Sequence, residues 1–133
     1  LYRIMANFCK INNNNEVIAC VVVSDNIATT EQLGINFLRN LYNEPEANWV
    51  QTFSDGTREH FGGIGYTYNL TEDAFIPKKP HPSWVLKKPE YIWESPVGNC
   101  PITYTQNLTQ RDGSPLGDLY VWNELHQKWD LRE

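Results

Sequence analysis

Tyr66-Thr67-Tyr68-Asn69-Leu70-Thr71-Glu72-Asp73-Ala74-Phe75, Trp84-Val85-Leu86-Lys87-Lys88-Pro89-Glu90-Tyr91-Ile92-Trp93 and Tyr120-Val121-Trp122-Asn123-Glu124-Leu125-His126-Gln127-Lys128-Trp129 are one pattern written three times. Each copy has two large apolar residues separated by one position, then a third large residue seven positions after the second. Side chains at i and i+2 share one face of a strand, and the six residues that follow (Asn69 to Ala74, Lys87 to Ile92, Asn123 to Lys128) form stretches that are polar or contain turn formers. The pattern predicts three short aromatic β-hairpins. Large aromatics usually carry core packing, so the repeat reads as architecture before it reads as a ligand-stacking platform.

Upstream, Met5 to Ile11 and Glu16 to Val23 flank Asn12-Asn13-Asn14-Asn15, and asparagine tolerates the left-handed backbone of tight turns. A hairpin is expected to open the fold. Its second strand, through Val17-Ile18-Ala19-Cys20-Val21-Val22-Val23, lacks polar alternation and is expected to be central and covered on both faces. With Ile11 opposite Glu16, Cys9 would face Ile18 and Cys20 would face Asn7. That register leaves the two thiols diagonal, roughly 7 to 8 Å apart and out of disulfide reach, and with Cys100 they read as reduced, buried thiols made in a reducing cytoplasm.

Thr29-Thr30-Glu31-Gln32 fits a capping box built on the Thr29 hydroxyl and the Gln32 side chain. The helix that follows carries Leu33, Phe37, Leu38 and Leu41 on one stripe, is weakened slightly by Gly34, and stops at Asn43-Glu44-Pro45. Trp49 to Phe53 alternates like a strand, Asp55-Gly56 marks a hairpin turn, and Thr57 to Phe61 is expected to return. Gly62-Gly63-Ile64-Gly65 lacks the Gly-Lys-Ser/Thr and helix of a phosphate loop, so it predicts a bulge or a close backbone approach. Pro77 to Pro82 suggests an extended polyproline-like connector. The residues from Gly98 to Gly117 interrupt the repeat, with Ile102-Thr103-Tyr104 as a short strand and Arg111 to Pro115 as a turn-rich, mobile loop. Leu1 to Ile4, ahead of Met5, read as an extra strand segment or an arm.

The fold class expected is therefore α+β: a hairpin, helix, hairpin unit over residues 1–65, followed by an array of three aromatic hairpins over 66–133. Length allows one domain or two very small ones, no apolar run approaches a membrane span, and the N-terminus has no signal-peptide pattern. The net charge of −5 divides into −3 before Tyr66 and −2 from it onward. No basic stripe points to nucleic acid, and Lys78-Lys79 and Lys87-Lys88 read as charged guards of hairpin edges.

Catalytic signals are weak. His60, His81 and His126 lie far apart, there is no Cys-x-x-Cys, and Glu90 with Glu94 is a poor basis for sugar cleavage. Asp112 to Asp118 lacks the spacing of a calcium loop, and Asn69-Leu70-Thr71 and Asn107-Leu108-Thr109 read as chance matches to the glycosylation acceptor. No catalytic residue, metal ligand or cofactor site is assigned, and the chain reads as non-enzymatic. Trp84, Trp93, Trp122 and Trp129 stand out instead as candidate interface anchors, since tryptophan is enriched where binding energy concentrates.

The order Gly63-Ile64-Gly65-Tyr66-Thr67-Tyr68, Asp73-Ala74-Phe75-Ile76-Pro77, Pro82-Ser83-Trp84-Val85-Leu86, Trp93-Glu94-Ser95-Pro96-Val97 and Tyr120-Val121-Trp122-Asn123 resembles small virion structural proteins encoded by marine bacteriophages, above all cyanophages with contractile tails. The resemblance covers nearly the whole chain from Met5 onward. It implies a virion component, synthesised in the host cytoplasm, whose expected partners are other capsid or tail proteins or further copies of itself, with no nucleic acid or membrane. It brings no catalytic residues. The alternative, from another class, is a carbohydrate-binding module for host attachment that stacks exposed tryptophans on a glycan.

Overall fold

The computed structural model describes residues 5–98, 100 and 120–131. The chain is α+β, mostly small antiparallel hairpins with one short helix, and divides into two compact units, Leu1–Lys78 and Lys79–Glu133. Each is described by itself. The expected strand over Ile102 to Tyr104, the loop and oxygen-rich run over 111–118, the Asn107 acceptor and the arm Leu1 to Ile4 all lie outside the described residues.

The first unit is built on β1 (Met5–Ile11), β2 (Val17–Ser24) and β3 (Asn48–Thr52), antiparallel in the order β2-β1-β3. The asparagine turn forms as expected: Asn12 Oδ1 accepts the N–H groups of Asn14 and Glu16, each at 2.9 Å, and Asn15 has φ 62°. Two expectations about this hairpin fail. First, β1 is central and β2 is the outer strand, because β3 adds to the other side of β1. The unbroken apolar run of β2 reflects β-branched strand preference, not burial on both faces, and Ile18 and Val22 are 48% and 55% exposed. Second, Ile11 pairs with Val17, and Ile18 is an extra, bulged residue, so Cys9 stands directly opposite Cys20.

Helix α1 (Glu31–Leu41) starts one residue later than the capping-box reading. Thr30 is the N-cap and accepts from the N–H of Leu33 at 3.2 Å, while Gln32 turns along the helix to donate to Asn36 Oδ1 at 2.8 Å. The C-terminus stops at the expected place, with Asn43 in the left-handed region at φ 54° and the Glu44 N–H returning to Arg39 O at 2.8 Å. The buried face differs from the leucine stripe. Gly34 and Leu38 are its buried residues, Ile35 and Phe37 pack partly, and Leu33 and Leu41 are exposed.

The return strand over Thr57 to Phe61 does not form. Asp55 and Gly56 do turn the chain, but Arg58 and Glu59 then adopt φ of 59° and 68°, which breaks the extended run, and Glu59 makes an isolated bridge to Phe75 instead of a return strand. Side chains take the place of the missing strand at Gln51: its N–H donates to Glu31 Oε2 at 2.8 Å, and its carbonyl accepts from Arg58 Nη1 at 2.7 Å.

Alternation along β1 sends side chains to two cores. Ala6 and Phe8 pack with Val23, Ala28, Leu38 and Trp49 beneath α1, whereas Cys9 and Ile11 pack with Val17, Val50, Tyr68 and Phe75. Tyr68 and Phe75 belong to the first repeat hairpin, β4 (Thr67–Asn69) and β5 (Ala74–Ile76). That hairpin therefore lies within the first unit, and the boundary falls after Lys78 where the sequence reading placed it after Gly65. The extended connector expected over 77–82 is also shorter, since the chain bends at Pro80 and Trp84 N–H closes a turn onto His81 O at 3.1 Å.

The second unit contains the hairpins β6 (Val85–Lys87) with β7 (Ile92–Glu94), and β8 (Tyr120–Asn123) with β9 (Lys128–Leu131). In all three repeat hairpins the second and third residues of the sequence triplet face each other across the ladder: Tyr68 with Phe75, Leu86 with Trp93, Trp122 with Trp129. Each loop ends on a left-handed residue at the same offset, namely Asp73 (φ 53°), Tyr91 (φ 57°) and Gln127 (φ 49°). The repeat is thus a repeat of backbone conformation as well as of sequence.

Candidate functional site

The second unit gathers three of the four candidate tryptophans. Trp122 and Trp129 become neighbours because β8 pairs with β9, and the turn at His81 brings Trp84 against both. Ring centroids lie 5.3 Å apart for Trp122 and Trp129, 5.8 Å for Trp84 and Trp122, and 5.9 Å for Trp84 and Trp129, all edge-to-face. That geometry places the positive edge of one ring against the negative face of the next. His81 completes the cluster at 5.3 Å from Trp84 and 6.3 Å from Trp122.

Polar groups pin these rings. Glu124 Oε1 accepts from Trp122 Nε1 at 3.0 Å and from Ser83 Oγ at 2.8 Å, and these bonds, that from Trp122 foremost, hold its carboxyl below the usual range. Trp129 Nε1 donates to Gly98 O at 3.1 Å, whereas Trp84 Nε1 is buried without a hydrogen-bond partner among the described residues. Trp122 is 7% exposed, while Trp84 and Trp129 are partly exposed. The partly exposed Trp93 faces Leu86, with Lys79 Nζ 5.4 Å from its ring centroid.

The carboxylates and histidines weighed in the sequence are dispersed. Glu90 sits in the β6–β7 loop, and Glu94 on β7 pairs with Lys87 at 3.4 Å. Among the described residues no group of three or more His, Cys, Asp or Glu side chains is arranged to hold a metal ion.

Two further constellations lie in the first unit. In one, Arg58 donates to both oxygens of Glu31, at 2.6 and 3.0 Å, and its Nε lies 2.9 Å from Asp73, to which the Tyr68 hydroxyl also donates. Burial acts to raise the Glu31 pKa, but the hydrogen bonds from Arg58 and the Gln51 N–H, with the guanidinium charge, outweigh it and hold the carboxyl below 4.5. Burial and the bond to Asp73 push the Tyr68 phenol up to about 12. Nothing in the spacing of Glu31, Arg58, Tyr68 and Asp73 announces this network, because the left-handed backbone at Arg58 is what delivers its guanidinium.

The other constellation is the sulfur pair. Cys9 Sγ and Cys20 Sγ lie 3.8 Å apart, with Cys9 buried and Cys20 exposed. Beside them is a cavity of about 250 Å³, whose lining includes Cys20, Asn7, Val22, Thr52, Phe61 and Gly62. Gly62 closes over the pair: its N–H donates to Thr52 Oγ1 at 2.7 Å, and a Cβ there would stand 2.9 Å from Cys9 Sγ. The residues that signalled the pair, two cysteines on adjacent strands, were visible in the sequence, but the bulge that aligns them was not.

No protein-family model, curated protein or solved structure matches this chain.

Proposed function

We propose that this chain is a non-enzymatic structural or accessory component of a bacteriophage particle, a capsid decoration, collar or tail attachment that acts through contacts with other virion proteins. The observation that carries the reading is β2. It is an outer strand of eight residues with no charge and no proline, and it exposes Ile18 and Val22. Soluble monomers usually blunt such an edge with lysine, proline or a covering loop. Here Val17 alone exchanges backbone bonds with described residues on the outer side, at Gly65 and Tyr66, and the strand beyond it suits a partner's surface. The resemblance of the motif order to small phage virion proteins points the same way, and short hairpins gain stability when a neighbour covers them.

A carbohydrate-binding module is the second reading, favoured by the partial exposure of Trp84, Trp93 and Trp129 within one unit. Mass spectrometry of gradient-purified particles tests the first: the chain is expected at a fixed ratio to the major capsid or tail proteins, and its absence from intact particles would overturn the proposal. Tryptophan fluorescence titrated with host polysaccharides tests the second, for which a flat response across several sugars is the contrary result.

A further inference from the structure

We propose that Cys20 and Cys9 form a dithiol that a low-molecular-weight disulfide converts into a cross-strand disulfide between β1 and β2, with Cys20 as the entry thiol and Cys9 as the resolving thiol. The pair is directly opposed in the ladder, with sulfurs 3.8 Å apart. Directly opposed residues of an antiparallel pair have Cα atoms roughly 4.5 to 5.5 Å apart, which lies inside the range a disulfide spans, so side-chain rotation suffices to close the bond.

The order of attack follows from access. Cys9 is fully buried, whereas Cys20 is exposed and lines the cavity of about 250 Å³ shared with Asn7, Val22, Thr52 and Phe61. The cavity gives a small disulfide and its leaving thiol room beside Cys20. The Cys9 thiol, pushed up to about 12 by burial first and by the neighbouring Cys20 second, stays protonated near neutrality and is a poor entry point.

The chemistry balances without further reagents. The Cys20 thiolate attacks one sulfur of RSSR, breaking its S–S bond, and the departing thiolate takes up the proton that Cys20 gave to solvent, leaving Cys20–S–SR and RSH. Cys9 then gives up its proton and attacks Cys20 Sγ, and the second RS group leaves and is protonated to RSH. Two protein thiols have lost two electrons, and one small disulfide has become two thiols. The product staples the strands around the asparagine turn and is reversed by excess dithiol. This inference stands apart from the virion reading.

The test uses the full chain carrying Cys100→Ser, incubated with glutathione disulfide, quenched with an alkylating agent and digested with trypsin without reduction. The expected product links the peptides spanning residues 4–10 and 11–39, exceeds the glutathione adduct at least tenfold, and raises the melting temperature by on the order of 10 °C until dithiothreitol is added. The Cys9→Ala protein is expected to keep the adduct on Cys20. A lasting adduct on Cys20 in the protein that retains Cys9, or no reaction at Cys20, would overturn the proposal whether or not the Cys9 variant folds.

Discussion

Gly34 of α1 meets Phe8 of β1 so closely that a Cβ on Gly34 would stand 2.3 Å from Phe8 Cζ. The Phe8 ring is fully buried in the core beneath α1. Helix propensity alone would make Gly34→Ala stabilising by about 1 kcal/mol. Overpacking against a buried ring at this distance costs more, typically about 1 to 3 kcal/mol. The expected net effect is a loss of stability in urea titration, while an exposed control such as Asn40→Ala changes it little.

The Glu31 network makes stability depend on acid. The Glu31 pKa is lowered on folding, so its contribution is complete above the unfolded value of 4.5 and is lost as pH falls through the lower folded value. Removing the guanidinium with Arg58→Met is expected to cost roughly 2 to 3 kcal/mol, because it strips a partly buried carboxylate of its paired charge. Glu31→Gln is expected to flatten the slope of stability against pH below 4.5. At the alkaline end Tyr68, raised to about 12, contributes stability that is present below pH 10 and lost as pH rises through 12. Denaturant titrations across pH would check both limbs.

The repeated left-handed loop residue separates conformational cost from function. Gln127 is exposed at φ 49°, and Gln127→Gly is expected to stabilise the last hairpin by about 0.5 to 1 kcal/mol by removing the Cβ penalty. Asp73 holds the equivalent position, but its carboxylate bonds Arg58 and Tyr68, so Asp73→Gly is expected to destabilise. Thermal melts of the two variants should move in opposite directions.

The tryptophan cluster is expected to behave as packing. Trp122→Ala should cost roughly 3 to 5 kcal/mol, as large aromatic truncations in cores do. Trp84 and Trp129 should couple by about 0.5 to 1.5 kcal/mol in a double-mutant cycle. Each truncation should also weaken the exciton signal of the edge-to-face indoles in circular dichroism, and an unchanged signal would contradict the cluster.

The parts legible in the sequence were those governed by local pattern. The seven-residue step from Tyr68 to Phe75, Leu86 to Trp93 and Trp122 to Trp129 marks cross-strand partners, because a four-residue loop and its closing pair fill the interval. Asn43 and the asparagine turn were equally readable. What was hidden depends on tertiary choices. Whether β1 or β2 is central turns on where β3 adds, and the alignment of Cys9 with Cys20 turns on one bulged residue, Ile18. The return strand after Asp55-Gly56 was lost to a side-chain solution at Gln51 that no periodicity records. Gly34, read as a weak point of the helix, is the point of closest packing, since propensity is blind to the partner surface. Of the candidate anchors, the sequence identified the four tryptophans but not which rings cluster, because the turn at His81 decides it.

Hydroxyl-radical footprinting of purified particles against the free protein tests the central claim most directly. The account predicts that Ile18 and Val22 on β2 are oxidised readily in the free chain and are protected several-fold in the particle. Equal oxidation in both states, in particles that contain the chain, would contradict it.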